Sequence, residues 1–326
     1  MSRVAPVHVT LAAWRVVAGC IGLSALPAPS PGQAAPPPIL EITTVTRVVD
    51  VYATVKDAQG RLVTSLGRDR FELREDGVRQ QVDYFAHETD APLSLGLVID
   101  TSASQAQLLA TEREKARAFL HTVLGASDRA FVMRFGQEVV LLQGLTADIA
   151  LLARGIDAVQ ADAGSPSSAD LFEGRRPRGT RLYDAIQQAS ALLSGQKGRK
   201  VLVLLTDGED QGSRVTRGAA LEAAERAEVI VYSVLVADPI FYWARGRDFR
   251  GEAALEALQA RTGGWMVRPE SAQGLDEIAS ELRAQYRLGY TPRTARYDGS
   301  FRRIEVRLHG GRHTVRARRG YYASAE

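Results

Sequence analysis

Cysteine is nearly absent from this chain. Cys20 is the only one in 326 residues, so no internal disulfide can form, and thiolate zinc sites and cysteine nucleophiles are excluded together. A surplus of either charge is also missing, with 41 Lys and Arg against 38 Asp and Glu. That balance gives no continuous positive surface of the kind a dedicated DNA binder needs, and nucleic acid is not an expected partner. No stretch beyond the N-terminal region approaches the roughly 18 uninterrupted apolar residues of a membrane helix, so none is expected in the mature chain. Phosphate loops of the GxGxxG and GxxxxGK[ST] types, a GxSxG elbow and an HExxH helix are all missing, which removes the usual nucleotide and hydrolase readings. What remains is an ordinary globular composition, 45% hydrophobic and 24% charged, with room for one large domain or two modest ones.

Residues Met1 to Pro38 hold no acidic side chain, carry Arg3 and Arg15, and run apolar from Val16 to Leu26. This is the layout of a secretory signal peptide, with small residues at Gly32-Gln33-Ala34 for the peptidase. A competing reading takes Val17-Ala18-Gly19-Cys20 as a lipobox, with Cys20 carrying a lipid anchor. Either places the working protein outside the cytoplasm, secreted or in the periplasm and cell envelope. Pro27 to Pro38 reads as an extended tether, because proline fixes φ and removes backbone donors.

Residues 39–92 read as the N-terminal part of a β domain. Short β-prone runs (Val48 to Val55, Phe71 to Arg74, Val78 to Phe85) alternate with turn residues such as Asp76-Gly77. Residues 93–285 change texture. Apolar runs such as Leu93 to Ile99 and Val201 to Leu205 alternate with helical spacing over Gln105 to Leu124, Leu182 to Leu193 and Glu252 to Arg261. Uninterrupted apolar strands between amphipathic helices predict an α/β, doubly wound, mostly parallel sheet covered on both faces. Residues 286–326 return to β pattern, with Ile304, Val306 and Leu308 alternating against Arg303, Glu305 and Arg307. These strands are expected to complete a smaller all-β sandwich with the N-terminal ones, the α/β domain being inserted in it.

Ligands of doubly wound sheets bind beyond the carboxyl ends of the strands, where the strand order reverses. The first strand there delivers Asp100, Ser102 and Ser104. The strand Val201 to Leu205 delivers Asp207 in Thr206-Asp207-Gly208, and a third loop brings Gly179-Thr180 just ahead of a helix. Three loops thus aim hard oxygen donors at one sheet edge. Such donors suit Mg²⁺, with Mn²⁺ or Ca²⁺ as alternatives. Hydroxyl ligands are neutral, so the ion would stay electrophilic and complete its shell with an anionic group from outside. Each residue also has a plainer role open to it: Asp100, Ser102 and Ser104 as a helix N-cap, Thr180 as another cap, and Asp207 as a turn residue.

The set resembles the metal-ion-dependent adhesion site of the von Willebrand factor type A domain, whose pattern is DxSxS, a distant Thr and a distant Asp. Asp100, Ser102, Ser104, Thr180 and Asp207 fill it in order. The flanks Asp69-Arg70-Phe71-Glu72-Leu73-Arg74-Glu75-Asp76-Gly77 and Arg319-Gly320-Tyr321 are similar to a bacterial, acidobacterial-type secreted group carrying this domain. The resemblance covers about Val45 to Tyr322. It implies a non-enzymatic adhesion module that engages a protein or surface ligand through the ion, an acidic side chain of the ligand closing the shell. An envelope scaffold in which the ion is only structural is the alternative. Metal-dependent hydrolysis would need a further base, for which Asp170 and Glu173 are the available residues. The stretch Ala161 to Arg178 is long and rich in Gly, Pro, Ser and charge, and should lie beside the ion. Phe241, Tyr242 and Trp243 follow the strand Val229 to Val236, either as a ligand-binding hot spot or as packing over the sheet end. The arginines from Arg283 to Arg319 read as a solvated strand face in preference to an anion-binding patch.

Overall fold

The structure, a computed structural model, describes residues 48–87, 91–102, 105, 107–162, 179–236, 250–268, 274–294 and 296–323. The chain divides into two units, Met1–Val45 and Thr46–Glu326. The first lies outside the described residues, and with it the expected signal, tether and Cys20. Among the described residues no helix is long and apolar enough to cross a membrane.

The centre of the second unit is a six-stranded sheet of β5 (Leu93–Asp100), β6 (Arg129–Phe135), β7 (Val139–Thr146), β8 (Arg199–Thr206), β9 (Ile230–Leu235) and β10 (Met266–Val267), in the order β10-β9-β8-β5-β6-β7. All pairs are parallel except β6 with β7. Every residue of β5 is buried, as its unbroken apolar run requires of a strand covered on both faces. One cover is formed by α1 (Leu109–Val123), α2 (Ile149–Asp157) and α6 (Gly274–Leu282), which contribute Phe119, Leu152 and Ile278 to a core over Leu95, Leu97 and Val203. The other is formed by α3 (Leu182–Ser194), α4 (Arg217–Arg226) and α5 (Arg250–Thr262), through Ile186, Ala224 and Leu258 over Val98, Phe131 and Leu204. The chain leaves β5 for β6 on one side and later returns to β8 on the other. The strand order therefore reverses at the carboxyl ends of β5 and β8, the place where such sheets form a ligand crevice.

Strands from both flanks build two further antiparallel sheets. One has the order β13-β1-β11-β4, from β1 (Val49–Lys56), β4 (Tyr84–His87), β11 (Tyr286–Tyr290) and β13 (Thr314–Ala317). The other has the order β14-β12-β2-β3, from β2 (Phe71–Glu75), β3 (Val78–Gln80), β12 (Phe301–Leu308) and β14 (Gly320–Tyr322). Val51, Val55, Leu288 and Tyr290 from the first share a core with Leu73, Ile304 and Tyr321 from the second. Tyr290 Oη (2.5 Å) and Tyr321 Oη (3.1 Å) both donate to the buried Glu75 Oε2, giving the apolar interior one satisfied polar link between the sheets.

Two sequence expectations need correction. The single strand expected over Val78 to Phe85 is two strands in different sheets. Buried Gln80 turns its Oε1 inward to accept the Arg293 N–H (3.1 Å), and Asp83 then crosses over, its N–H bonded to Gly289 O (2.9 Å). Helix α1 starts at Leu109 and not at Gln105, whose side chain is used elsewhere.

Candidate functional site

Asp100 ends β5 and Thr206 ends β8, and the parallel register that sets Ile99 against Leu205 brings their side chains together. Thr206 Oγ1 donates to Asp100 Oδ2 (2.7 Å) and accepts from Gly208 N (3.0 Å); the Ser102 N–H donates to Asp100 Oδ1 (2.9 Å). Asp207, the next residue on the β8 side, accepts from Gln105 Nε2 at Oδ2 (3.0 Å) and from Glu209 N at Oδ1 (3.0 Å). Gln105 Nε2 also donates to Val236 O (3.2 Å), tying the ends of three strands into one patch. The turn after Asp207 depends on glycine. Gly208 has φ +83°, and a Cβ there would meet the Gly251 carbonyl oxygen at 2.7 Å.

The Thr180 loop is attached to the same edge through its backbone. Thr180 O accepts from Gln211 N (2.9 Å) and Gly212 N (3.1 Å). Asp184, in the first turn of α3, accepts from Arg214 N (2.9 Å) and Val215 N (3.1 Å) and from Arg181 Nε (2.8 Å), so it clamps the Thr180 and Asp207 loops to one another. On the far side, Asp162 accepts from Thr101 Oγ1 (3.0 Å), Arg134 Nη1 (2.7 Å) and Gln137 N (2.5 Å), while the Arg181 N–H donates to Gly136 O (3.0 Å). Both flanks of the 161–178 stretch are therefore anchored on the turn after β6.

Of the residues singled out in the sequence, Asp100, Ser102, Thr180 and Asp207 are at this edge. Ser104 lies outside the described residues, as do Phe241, Tyr242, Trp243, Asp170 and Glu173. Three contributors were not singled out: Gln105, Thr206 and Glu112. Glu112 had a legible signal, being a charge on the apolar stripe of α1 that runs Leu109, Glu112, Ala116, Phe119.

The electrostatics of the patch are those of crowded, desolvated carboxyls. Asp100 is fully buried, Asp207 is 6% exposed and Glu112 is 5% exposed. Burial, and then the negative charge of Asp207, push the Asp100 carboxyl well above the usual carboxylate range, against hydrogen bonds from Ser102 and Thr206. Burial also pushes Glu112 up to about 8, with Asp100 and Asp207 adding to the effect and Lys115 opposing it. Neither Glu112 oxygen has a hydrogen-bond partner among the described residues. No three His, Cys, Asp or Glu side chains among the described residues form a metal-ligating cluster, so a cation here would draw on hydroxyls and water as well as carboxylates. The donor set fits that demand, since it is oxygen only, mixed hydroxyl and carboxylate, and short of positive charge.

Residues 95–209 match the family model described as the von Willebrand factor type A domain. No curated protein matches the chain. Among solved structures, the protein BatB from Bacteroides thetaiotaomicron is 18% identical, covering 58% of this chain and 97% of its own, with a TM-score of 0.41. An aerotolerance-related membrane protein from Bacteroides fragilis is 19% identical over 58% of this chain and 98% of its own, TM-score 0.42. The von Willebrand domain of a type V pilus tip protein from Porphyromonas gingivalis is 13% identical over 59% and 95%, TM-score 0.42.

Proposed function

We propose that this protein is an extracytoplasmic binding module that engages an acidic side chain of a protein or surface ligand through a divalent cation, with no catalytic turnover. Asp100, Ser102, Ser104, Thr180 and Asp207 would hold the ion, Mg²⁺ in first place and Mn²⁺ or Ca²⁺ as alternatives. A bound ion would supply an electrophilic centre for a ligand carboxylate. The observation that carries the reading is the accumulation of three buried carboxyl groups, Asp100, Asp207 and Glu112, at the switch point of the sheet, with neither Asp100 nor Glu112 in an ion pair among the described residues. Crowding and burial raise the cost of ionising Asp100 and Glu112, and a bound cation would lower that cost.

In this reading the protein's own residues do distinct work. Thr206 and the Ser102 N–H fix both oxygens of Asp100, and Gln105 with Glu209 N fixes those of Asp207, so neither carboxylate rotates freely. Asp184 holds the Thr180 loop in register with the Asp207 loop. The test is calorimetric titration of the full chain with Mg²⁺ and Mn²⁺, repeated on Asp100→Asn and Ser102→Ala, together with capture of partners from envelope extract with Mg²⁺ or with EDTA. Saturable cation binding that both substitutions abolish, and capture that EDTA abolishes, are expected. Capture unchanged by EDTA and by Asp100→Asn would reject the mechanism and favour a scaffold in which the ion is structural.

A further inference from the structure

A second surface, remote in sequence from the cation site, has the features of a strand acceptor. β12 pairs with β2 over Ile304–Leu308, whereas β14 pairs with it only over Phe301–Arg303, and the final bond on that side runs from Ile304 N–H to Arg319 O (2.8 Å). Main-chain groups of an antiparallel strand point alternately to its two sides. Those of Val306 and Leu308 therefore point the same way as those of Ile304, beyond the end of β14. No main-chain partner meets them there among the described residues, because β13 has left β12 to pair with β1 in the other sheet.

The divergence of β12 and β13 opens a groove of about 710 Å³ at the mouth between the two sheets. Its floor includes the half-buried Val306, Val315 and Ala317. On its rim Arg303 and Arg319 are exposed, and neither has an ion-pair partner among the described residues. The acidic residue that lines it, Glu305, is already engaged by Arg307 (2.7 Å). An unpaired strand edge, an apolar floor and uncompensated arginines in one slot call for a ligand with a hydrogen-bonding backbone, apolar groups on one face and anionic groups on the other. An extended peptide with alternating apolar and acidic side chains has all three.

We propose that the groove between β12 and β13 takes an extended acidic segment of a partner protein, added as a strand to the free edge of β12 in continuation of β14. Backbone bonds to Val306 and Leu308 supply alignment, and Arg303 and Arg319 select for acid over base. This is independent of the cation site.

The probe is a fluorescein-labelled (Val-Glu)₄ peptide, followed by anisotropy on the full chain in EDTA, so that the cation site takes no part. The expected result is saturable binding with a dissociation constant below about 1 mM. Binding should weaken about tenfold when alternate peptide nitrogens are methylated, and about tenfold in the Arg303→Ser/Arg319→Ser protein, whose melting temperature should be unchanged because both side chains are exposed. (Val-Lys)₄ should not bind. Equal binding of the methylated peptide, or of dextran sulfate in its place, would reduce the groove to a general anion patch and overturn the proposal. So would absence of (Val-Glu)₄ binding, indifference to the double substitution, or a dimer of this chain that the double substitution dissociates.

Discussion

Asp100 pairs full burial with a neighbouring carboxylate, and its neutralisation should therefore have opposite effects with and without cation. In EDTA, Asp100→Asn removes a repulsion while keeping a side chain that can still meet Thr206, and the melting temperature is expected to rise or hold. In millimolar Mg²⁺ the parent chain should gain stability by mass action, about 2.7 kcal/mol at a hundredfold excess over the dissociation constant, and the variant should gain none. Differential scanning calorimetry in the two buffers measures both. Glu112 carries a pH signature of known sign. Its folded carboxyl titrates near 8, above the ordinary value of 4.5, so the folded state binds the proton more tightly than the unfolded one. Stability of the cation-free protein should thus fall as pH rises from about 4.5 to 8. Urea unfolding across that window should show Glu112→Gln flattening the fall. Gly208→Ala should cost more than about 1 kcal/mol and weaken cation binding, because a Cβ at φ +83° faces the Gly251 carbonyl at 2.7 Å beside Asp207.

At the scale of elements, the link between the two outer sheets is the Glu75 carboxylate with Tyr290 and Tyr321. Tyr290→Phe leaves a buried acceptor short of one donor and is expected to cost about 1–3 kcal/mol in urea unfolding, with the cation site unaffected. The strands and helices of the α/β layer were legible in the sequence because each has a single unbroken signal: the apolar run of Leu93 to Ile99, or the spaced apolar residues of Leu182 to Leu193. What escaped was positional logic across sheets. Val78 to Phe85 reads as one β run, yet the fold cuts it at Gln80 so that its halves serve different sheets, and no local pattern encodes that change of partner. The same holds for β14, three residues whose strand character comes from Phe301–Arg303 opposite. In the site, Asp100, Ser102, Thr180 and Asp207 were legible as polar residues abutting strand ends or a helix start. Gln105 was not, since its role arises only once Asp207 and Val236 are brought to it.

For the whole molecule, the α/β layer leaves and re-enters the outer sheets through β4 into β5 and α6 into β11. Glu281 of α6 stands at that junction, accepting from Thr54 Oγ1 of β1 (3.1 Å) and Tyr232 Oη of β9 (3.0 Å) with Lys56 Nζ 3.6 Å away. Its near-total burial raises the carboxyl, and the Lys56 charge opposes that shift. A joint made of buried polar contacts that draw on β1, β9 and α6 predicts that the outer sheets and the α/β layer unfold together. Calorimetric and van't Hoff enthalpies should agree for the parent chain and diverge for Glu281→Ala. The most direct test of the central claim is Mn²⁺ titration of the full chain read by water-proton relaxation. A single tightly held ion that keeps exchangeable water, loses relaxation enhancement when an added carboxylate such as glutarate takes a coordination position, and disappears in Asp100→Asn is the predicted result. An unchanged Mn²⁺ isotherm in Asp100→Asn, or a bound ion with no water to exchange, would contradict it.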